Sequence, residues 1–210
     1  MIPVKILAVR YLANASPALC RALGAPEGYP ALGLITTDCD DATYIALDAA
    51  TKAAEVEVSY GRSFYAGASN ASTPNAGEVI GILAAKTPGA LRSGMEAALS
   101  ELTRVGFELT HNVPYLAHTV SSVGTYLAKE AGVKPGEALA YLIAPPLEGM
   151  YAMDAALKAA EVRLCKLYAP PSETNFGGGL LTGTQSACDA ACAAFAAAVT
   201  EVAAQPMERM

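Results

Sequence analysis

The chain has 210 residues, a formal net charge of −6 and a mean hydropathy of +0.31, with 53% hydrophobic and 16% charged residues. An apolar, weakly charged chain can bury enough surface to fold, which excludes intrinsic disorder. The net acidity, with lysines and arginines scattered along the chain, argues against a nucleic-acid partner. The length allows one ordinary domain or two small ones.

The two halves of the chain predict the same series of elements. The first half predicts strands at 4–12, 31–37, 56–65 and 78–85 and helices at 16–24, 41–55 and 88–102. The second half predicts strands at 115–122, 138–144, 162–168 and 180–184 and helices at 123–131, 146–161 and 185–202. Helices among paired strands over about 100 residues are typical of an α/β (α+β) two-layer sandwich.

No segment indicates a membrane span, a signal peptide or a disulfide framework. The longest apolar run, residues 190–199, is about half of what a bilayer requires. The N-terminal residues carry charges and lack an unbroken apolar core. The 5 cysteines include no Cys-x-x-Cys pair, so we expect them to be reduced and the protein to be cytoplasmic.

The second half is a copy of the first. Residues 46–56 read Ala-Leu-Asp-Ala-Ala-Thr-Lys-Ala-Ala-Glu-Val, and residues 152–162 differ from them at only two positions. Asp154 thus follows Asp48 by 106 positions, and the flanking matches are collinear, as with Gly24 and Gly132. We predict a tandem duplication with domains at 1–108 and 109–210.

The repeated segment resembles the signature of bacterial microcompartment shell domains. In that family a strand with a Gly-Leu-Ile run, here 33–35, leads into an alanine-rich helix carrying Asp-x-x-x-Lys-Ala-x-x-Val, here 48–56. A strand and a short helix precede this signature in both halves, as in the circularly permuted type. Four further runs resemble the tandem shell protein of ethanolamine-utilising microcompartments, at 38–44, 60–67, 144–148 and 170–175.

The resemblance implies two tandem circularly permuted shell domains that form a pseudo-hexameric homotrimer. Such trimers are flat tiles that meet other shell proteins edge to edge, so a structural protein is implied, with no enzymatic step and no required cofactor. Lys52 and Lys158 stand where shell domains place their edge lysine. The alternative is an ordinary Asp–Lys pair on a solvated helix face.

Long connections at 66–77 and 170–179 distinguish the two halves from each other. The resemblance implies that these connections line a gated central pore. The alternative is a pair of mobile surface loops.

Three aspartates, Asp38, Asp40 and Asp41, precede or begin the repeated helix in the first half only. Capping and the helix dipole explain carboxylates there, although three within four residues also favour an ammonium or metal partner. The resemblance implies an ethanolamine site formed by Asp40, Asp41, Glu78, Phe107, Thr174, Asn175 and Phe176. Phe176 stands where similar proteins have a tyrosine.

The resemblance also assigns His118 and Glu148 to zinc at a pore. Two protein ligands are too few for a closed structural zinc site, so zinc is an optional ligand in this interpretation. The alternative is a polar histidine that faces a pore or an interface.

Two other classes of function remain open. Asp38-x-Asp40 after a buried strand resembles magnesium-dependent phosphatases with an aspartate nucleophile, but the duplicated pattern supplies no phosphate-binding glycine loop. A small-molecule regulatory domain of similar α/β size is the other class, and it has no partner domain here.

Overall fold

The computed structural model describes residues 1–64, 77–170, 172 and 174–207. Its elements form two compact units, residues 3–106 with 124–127, and residues 1–2, 107–123 and 128–210. Each unit combines an antiparallel sheet with helices, which confirms the predicted α+β fold. The domain limits at 1–108 and 109–210 stay a prediction.

Among its described residues, the first unit contains four strands, three helices and the first turn of a fourth helix. In chain order they are β1 (Ile6–Leu12), α1 (Pro17–Ala22), β2 (Ala31–Thr37), α2 (Asp40–Ala53), β3 (Val56–Phe64), β4 (Glu78–Ala85) and α3 (Pro88–Glu101). The strand order is β1-β2-β4-β3, and every pair is antiparallel.

Alternate residues of β2 face different helices. A Cβ on Gly33 would lie 2.9 Å from the Met95 side chain of α3. The glycine thus lets α3 pack closely on this face of the sheet, which also contacts α2. On the opposite face Leu32 packs in a cluster with Cys20 of α1. The period-two alternation of the strand therefore sets which helix lies on which face.

The part of the second unit that the structure describes has five strands and two complete helices. In chain order the second half contains β5 (Glu108–Thr110), β6 (Val113–Val120), α4 (Thr125–Ala131), β7 (Ala138–Ala144), α5 (Pro146–Ala159), β8 (Arg163–Tyr168), β9 (Gly177–Gly183) and α6 (Gln185–Ala204). The strand order is β5-β6-β7-β9-β8, again antiparallel throughout. Helix α4 begins in the first unit and continues in the second.

Helix α6 is the one helix among the described residues that is long and apolar enough to cross a membrane by length and composition. One of its faces, which includes Cys188, Phe195 and Val199, is buried in the core of the second unit with Ala152 and Met153 of α5. A core helix of an α+β unit has this pattern, so the burial accounts for its hydropathy.

The structure adds one strand to those predicted and lengthens another. Strand β5 joins β6 through His111 and Asn112, whose φ angles of 45° and 65° suit a two-residue hairpin turn. Strand β9 begins at Gly177 rather than at residue 180, because residues 177–179 pair with 142–144 of β7. The predicted connection 170–179 is therefore shorter than expected, and most of the connection 66–77 lies outside the described residues.

Glycine is required at position 178 because a Cβ there would lie 1.9 Å from the backbone oxygen of Leu142. We expect Gly178→Ala to lower the free energy of unfolding by about 3 kcal/mol or more, since the paired backbones must separate. Gly89→Ala is the matched control: its nearest neighbour lies at 3.9 Å, and it sits in the first turn of α3. It should be neutral or stabilising by up to about 1 kcal/mol. Urea unfolding of both variants tests this, and equal stabilities would contradict it.

Candidate functional site

Asp38 has a structural role at the end of the β1–β2 pair. Its Oδ1 accepts a hydrogen bond from the Lys5 backbone N–H at 2.7 Å, and its own N–H donates to the Lys5 carbonyl at 3.1 Å. These bonds extend the pairing beyond the strand ends. Asp38 is thereby accounted for without a ligand.

Asp40 and Asp41 form the first turn of α2 and are both buried. The residue before them, Cys39, occupies the N-cap position and makes no side-chain cap. Asp40 Oδ1 instead accepts from the Asp41 backbone N–H at 2.9 Å. Burial raises the pKa of Asp40 to about 6, although hydrogen bonds from Ser63 and Asp41 favour its charged form.

Glu78 is the first residue of β4, is 6% exposed, and lies beside Phe64 of β3 in register. Its Oε1 is buried and has no hydrogen-bond partner among the described residues. Thr37, the last residue of β2, pairs with Val79, so Glu78 lies at the end of the sheet from which α2 begins. The first unit thus brings the predicted Asp40, Asp41 and Glu78 to one end of its sheet.

The remaining predicted ligand residues lie in the second unit. The rings of Phe107 and Phe176 meet edge to face with centroids 5.8 Å apart, and Phe107 is fully buried. Thr174 and Asn175 form a turn before Phe176: Ser172 Oγ donates to the Phe176 carbonyl at 2.7 Å, and the Asn175 N–H donates to the Ser172 carbonyl at 3.3 Å. Asn175 has a φ of 64°, a backbone conformation that asparagine tolerates better than most residues.

The predicted zinc ligands lie in different elements of the second unit. His118 is on β6 opposite Tyr141, and Glu148 is in the first turn of α5. Within the part of the chain that the structure describes, no three His, Cys, Asp or Glu side chains form a group that could hold a metal ion. The described donors do not fit a closed structural zinc site, and zinc binding stays a prediction.

The two predicted edge lysines differ in their surroundings. Lys158 Nζ lies 2.5 Å from Asp154, and both side chains are exposed. Lys52 Nζ lies 3.6 Å from Asp48, whose side chain is fully buried. A contact of either lysine with a neighbouring tile stays a prediction.

Asp48 has a role that the sequence did not reveal. Its Oδ2 accepts from the Gly124 N–H at 2.7 Å and its Oδ1 from the Leu127 N–H at 2.9 Å, so it caps the first turn of α4. The sequence predicted only the local pair with Lys52. The capped segment is 76 to 79 residues away, and no local motif marks it.

Comparison with known proteins decides the family. The BMC domain family matches residues 31–115. The bacterial microcompartment shell protein EutL of Clostridium perfringens is 56% identical over 99% of this chain and 97% of its own length. The chain belongs to the EutL family of bacterial microcompartment shell proteins. EutL of Salmonella typhimurium is 45% identical over 100% of this chain and 97% of its own length.

A solved EutL structure also shares the fold. The crystal structure of ethanolamine utilization protein EutL from Leptotrichia buccalis matches with a TM-score of 0.93 and 54% identity, covering 99% of this chain and 98% of that one. Membership of the EutL family confirms the predicted shell protein and the absence of an enzymatic role. The phosphatase and regulatory-domain alternatives have no support.

The raised pKa of Asp40 predicts a pH-dependent stability. Between the ordinary value of 3.8 and about 6 the folded state binds more protons than the unfolded state, so the free energy of unfolding falls as pH rises. In Asp40→Asn, the decrease in the free energy of unfolding with rising pH should be smaller by up to about 3 kcal/mol. The exposed Asp189→Asn is the control and should keep the wild-type slope. Urea unfolding at pH 4 to 8 measures how the free energy of unfolding depends on pH. The same pH dependence in Asp40→Asn as in the wild type would contradict the prediction.

Proposed function

We propose that this chain is a homotrimeric tile in the shell of a cytoplasmic, ethanolamine-utilising microcompartment and binds ethanolamine at the buried carboxylates of its first unit. Membership of the EutL family supports the shell role. The ligand proposal rests on Glu78 Oε1, which is buried and has no hydrogen-bond partner among the described residues. No chemical step is involved.

Glu78 favours a cationic ligand because burial removes water from a carboxylate oxygen that receives no hydrogen bond from the described residues. A buried acceptor without a partner costs about 1–3 kcal/mol, and more when it is charged. An ammonium group supplies both an N–H donor and the opposite charge, which makes a short, strong hydrogen bond.

A primary ammonium also suits the number of acidic groups. It has three N–H donors in a compact head, and three buried carboxylates, Asp40, Asp41 and Glu78, lie at the end of the sheet from which α2 begins. Its positive charge would offset the burial that raises the pKa of Asp40. Phe107, Thr174, Asn175 and Phe176 stay predicted members of the ligand set.

Family membership also supports the proposed contacts between tiles. Tiles of this chain would meet one another and other shell proteins at edges that include Lys52 and Lys158. A gated central pore and zinc at His118 and Glu148 stay predictions.

Calorimetry with ethanolamine tests the ligand. Glu78→Gln keeps the shape of the side chain but removes its charge, so we expect ethanolamine to bind at least about tenfold more weakly. The exposed Glu96→Gln is the matched control and should bind like the wild type. Ethylene glycol, which lacks the ammonium group, should not bind. Unchanged affinity in Glu78→Gln would remove Glu78 from the site. If the wild type does not bind ethanolamine, the ligand proposal is wrong, but the shell role is unaffected.

Electron microscopy and native mass spectrometry test the tile. The wild type should have the mass of three 21.5 kDa chains and should form two-dimensional sheets. Lys158→Ala should reduce sheet formation while leaving the trimer intact, because the Lys158 side chain is 74% exposed and contributes little to folding. A wild type that stays a dispersed monomer would contradict the tile.

A further inference from the structure

Two hydroxyl groups of the first unit, those of Tyr44 and Ser63, form a relay that ends on the Asp40 carboxylate. Ser63 of β3 donates a hydrogen bond to that carboxylate. The Tyr44 hydroxyl of α2 lies 2.6 Å from Ser63 Oγ. Because Ser63 has a single hydroxyl proton and gives it to Asp40, Tyr44 is the donor in the second bond. The hydroxyl relay therefore runs from Tyr44 through Ser63 to Asp40.

The local structure explains why these groups meet. Asp40 and Tyr44 are four positions apart on α2, so their side chains lie on the same side of the helix. Ser63 pairs with Val79 in the ladder between β3 and β4, next to the pair that contains Glu78. The hydroxyl relay thus lies at the end of the sheet that holds the buried carboxylates.

The ring of Tyr44 is itself held by Tyr126, in the first turn of α4. The two ring centroids are 6.0 Å apart, and the planes are inclined by 43°. A Cβ on Gly61 of β3 would lie 3.0 Å from the Tyr126 hydroxyl and 3.3 Å from the Tyr44 ring. Glycine at this position therefore lets both rings pack closely on the strand, and this packing keeps the Tyr44 hydroxyl beside Ser63.

The second copy of the repeat lacks both the acid and the two hydroxyls. At the offset of 106 that relates α2 to α5, the counterparts of Asp40, Tyr44 and Ser63 are Pro146, Met150 and Ala169. The three groups thus occur together in one copy and are replaced together in the other. This pattern indicates that the hydroxyls serve the carboxylate rather than the fold that both copies share.

We propose that Tyr44 and Ser63 are positioning residues of the ethanolamine site, which keep the Asp40 carboxylate ionised and in one orientation for the cation. The proposal rests on the ligand proposed above and adds two residues that act through Asp40. The Ser63 hydroxyl and the Asp41 N–H each occupy a lone pair of this carboxylate, which leaves other lone pairs for an ammonium group. The bond from Tyr44 polarises the Ser63 hydroxyl and so strengthens its bond to Asp40.

The surroundings of Asp40 make these hydrogen bonds important. The titratable groups near it are Cys39 and Asp41 on its own side of the chain and Glu78 at the start of β4. None of the three supplies a positive charge, so hydrogen bonds are what favour the ionised form against burial. Loss of the Ser63 bond should therefore raise the pKa of Asp40 further, and an ammonium that binds the ionised carboxylate should bind more weakly near pH 6.

The pH dependence of ethanolamine binding tests the positioning role, with calorimetry on the full chain from about pH 5.5 to 8.5. In the wild type, binding should strengthen as the pH rises through about 6, where Asp40 loses its proton. In Ser63→Ala this rise should move to higher pH, with binding at pH 6 weaker by about threefold or more. A merely structural role would weaken binding by the same factor at every pH. Ser63→Thr keeps the hydroxyl and should restore the wild-type profile.

Tyr44→Phe keeps the ring against Tyr126 and removes only the hydroxyl, so it should move the pH profile in the same direction by a smaller amount. The double variant Tyr44→Phe/Ser63→Ala should bind no more weakly than Ser63→Ala, because Tyr44 acts through Ser63. Ser59→Ala is the matched control. It removes a hydroxyl from the same strand that donates to the Ile82 carbonyl at 3.3 Å, and it should keep the wild-type profile.

The possible results separate the two proposals. If the wild type binds ethanolamine and both Ser63→Ala and Tyr44→Phe keep its pH profile, the positioning role is wrong and the ethanolamine site stands. Additive losses in the double variant would show that Tyr44 does not act through Ser63, which would overturn the relay. A wild type that does not bind ethanolamine would overturn the ligand proposal and the positioning role with it. Circular dichroism should show that every variant is folded.

Discussion

The fully buried carboxylate of Asp48 is the constraint on which the arrangement of the first unit depends. A carboxylate without water must receive hydrogen bonds or a counter-charge, and Asp48 receives two backbone N–H bonds and the ammonium of Lys52. Those two N–H groups belong to the start of α4, so one side chain fixes a segment from the second half of the chain against α2. Removal of the carboxylate would leave buried donors unpaired, which costs more than the loss of an exposed ion pair.

The same Asp-x-x-x-Lys motif has a different physical meaning in each copy. Asp154 and Lys158 are both exposed, and a pair of that kind contributes at most a few tenths of a kcal/mol on a helix surface. Identical residues thus serve as a buried cap in one copy and as a solvated pair in the other. The asymmetry comes from residues 124–127, whose N–H groups donate to Asp48, while Asp154 is exposed.

Much of the fold could be predicted because the repeated elements carry strong local signals. The buried strands at 31–37 and 138–144 have the predicted limits, since apolar runs bounded by turn residues define them. Residues 177–179 belong to the predicted connection 170–179, yet they begin β9, where the close approach of Leu142 requires glycine at position 178. Strand β5 was missed because three residues carry no periodicity, and the hairpin depends on the positive φ of His111 and Asn112.

The candidate site could be predicted only in part, because sequence shows which groups are acidic but not which are buried or paired. Asp38, Asp40 and Asp41 form one acidic run, but the backbone of Lys5 satisfies Asp38, whereas Asp40 is buried with a raised pKa. That Glu78 Oε1 is buried and receives no hydrogen bond from the part of the chain that the structure describes can be seen only in the folded unit. Such a group destabilises the fold unless a cation binds, so it persists where binding is useful. A shell protein catalyses nothing, and the buried acidic end of its sheet is therefore better explained by recognition of a small cation than by chemistry.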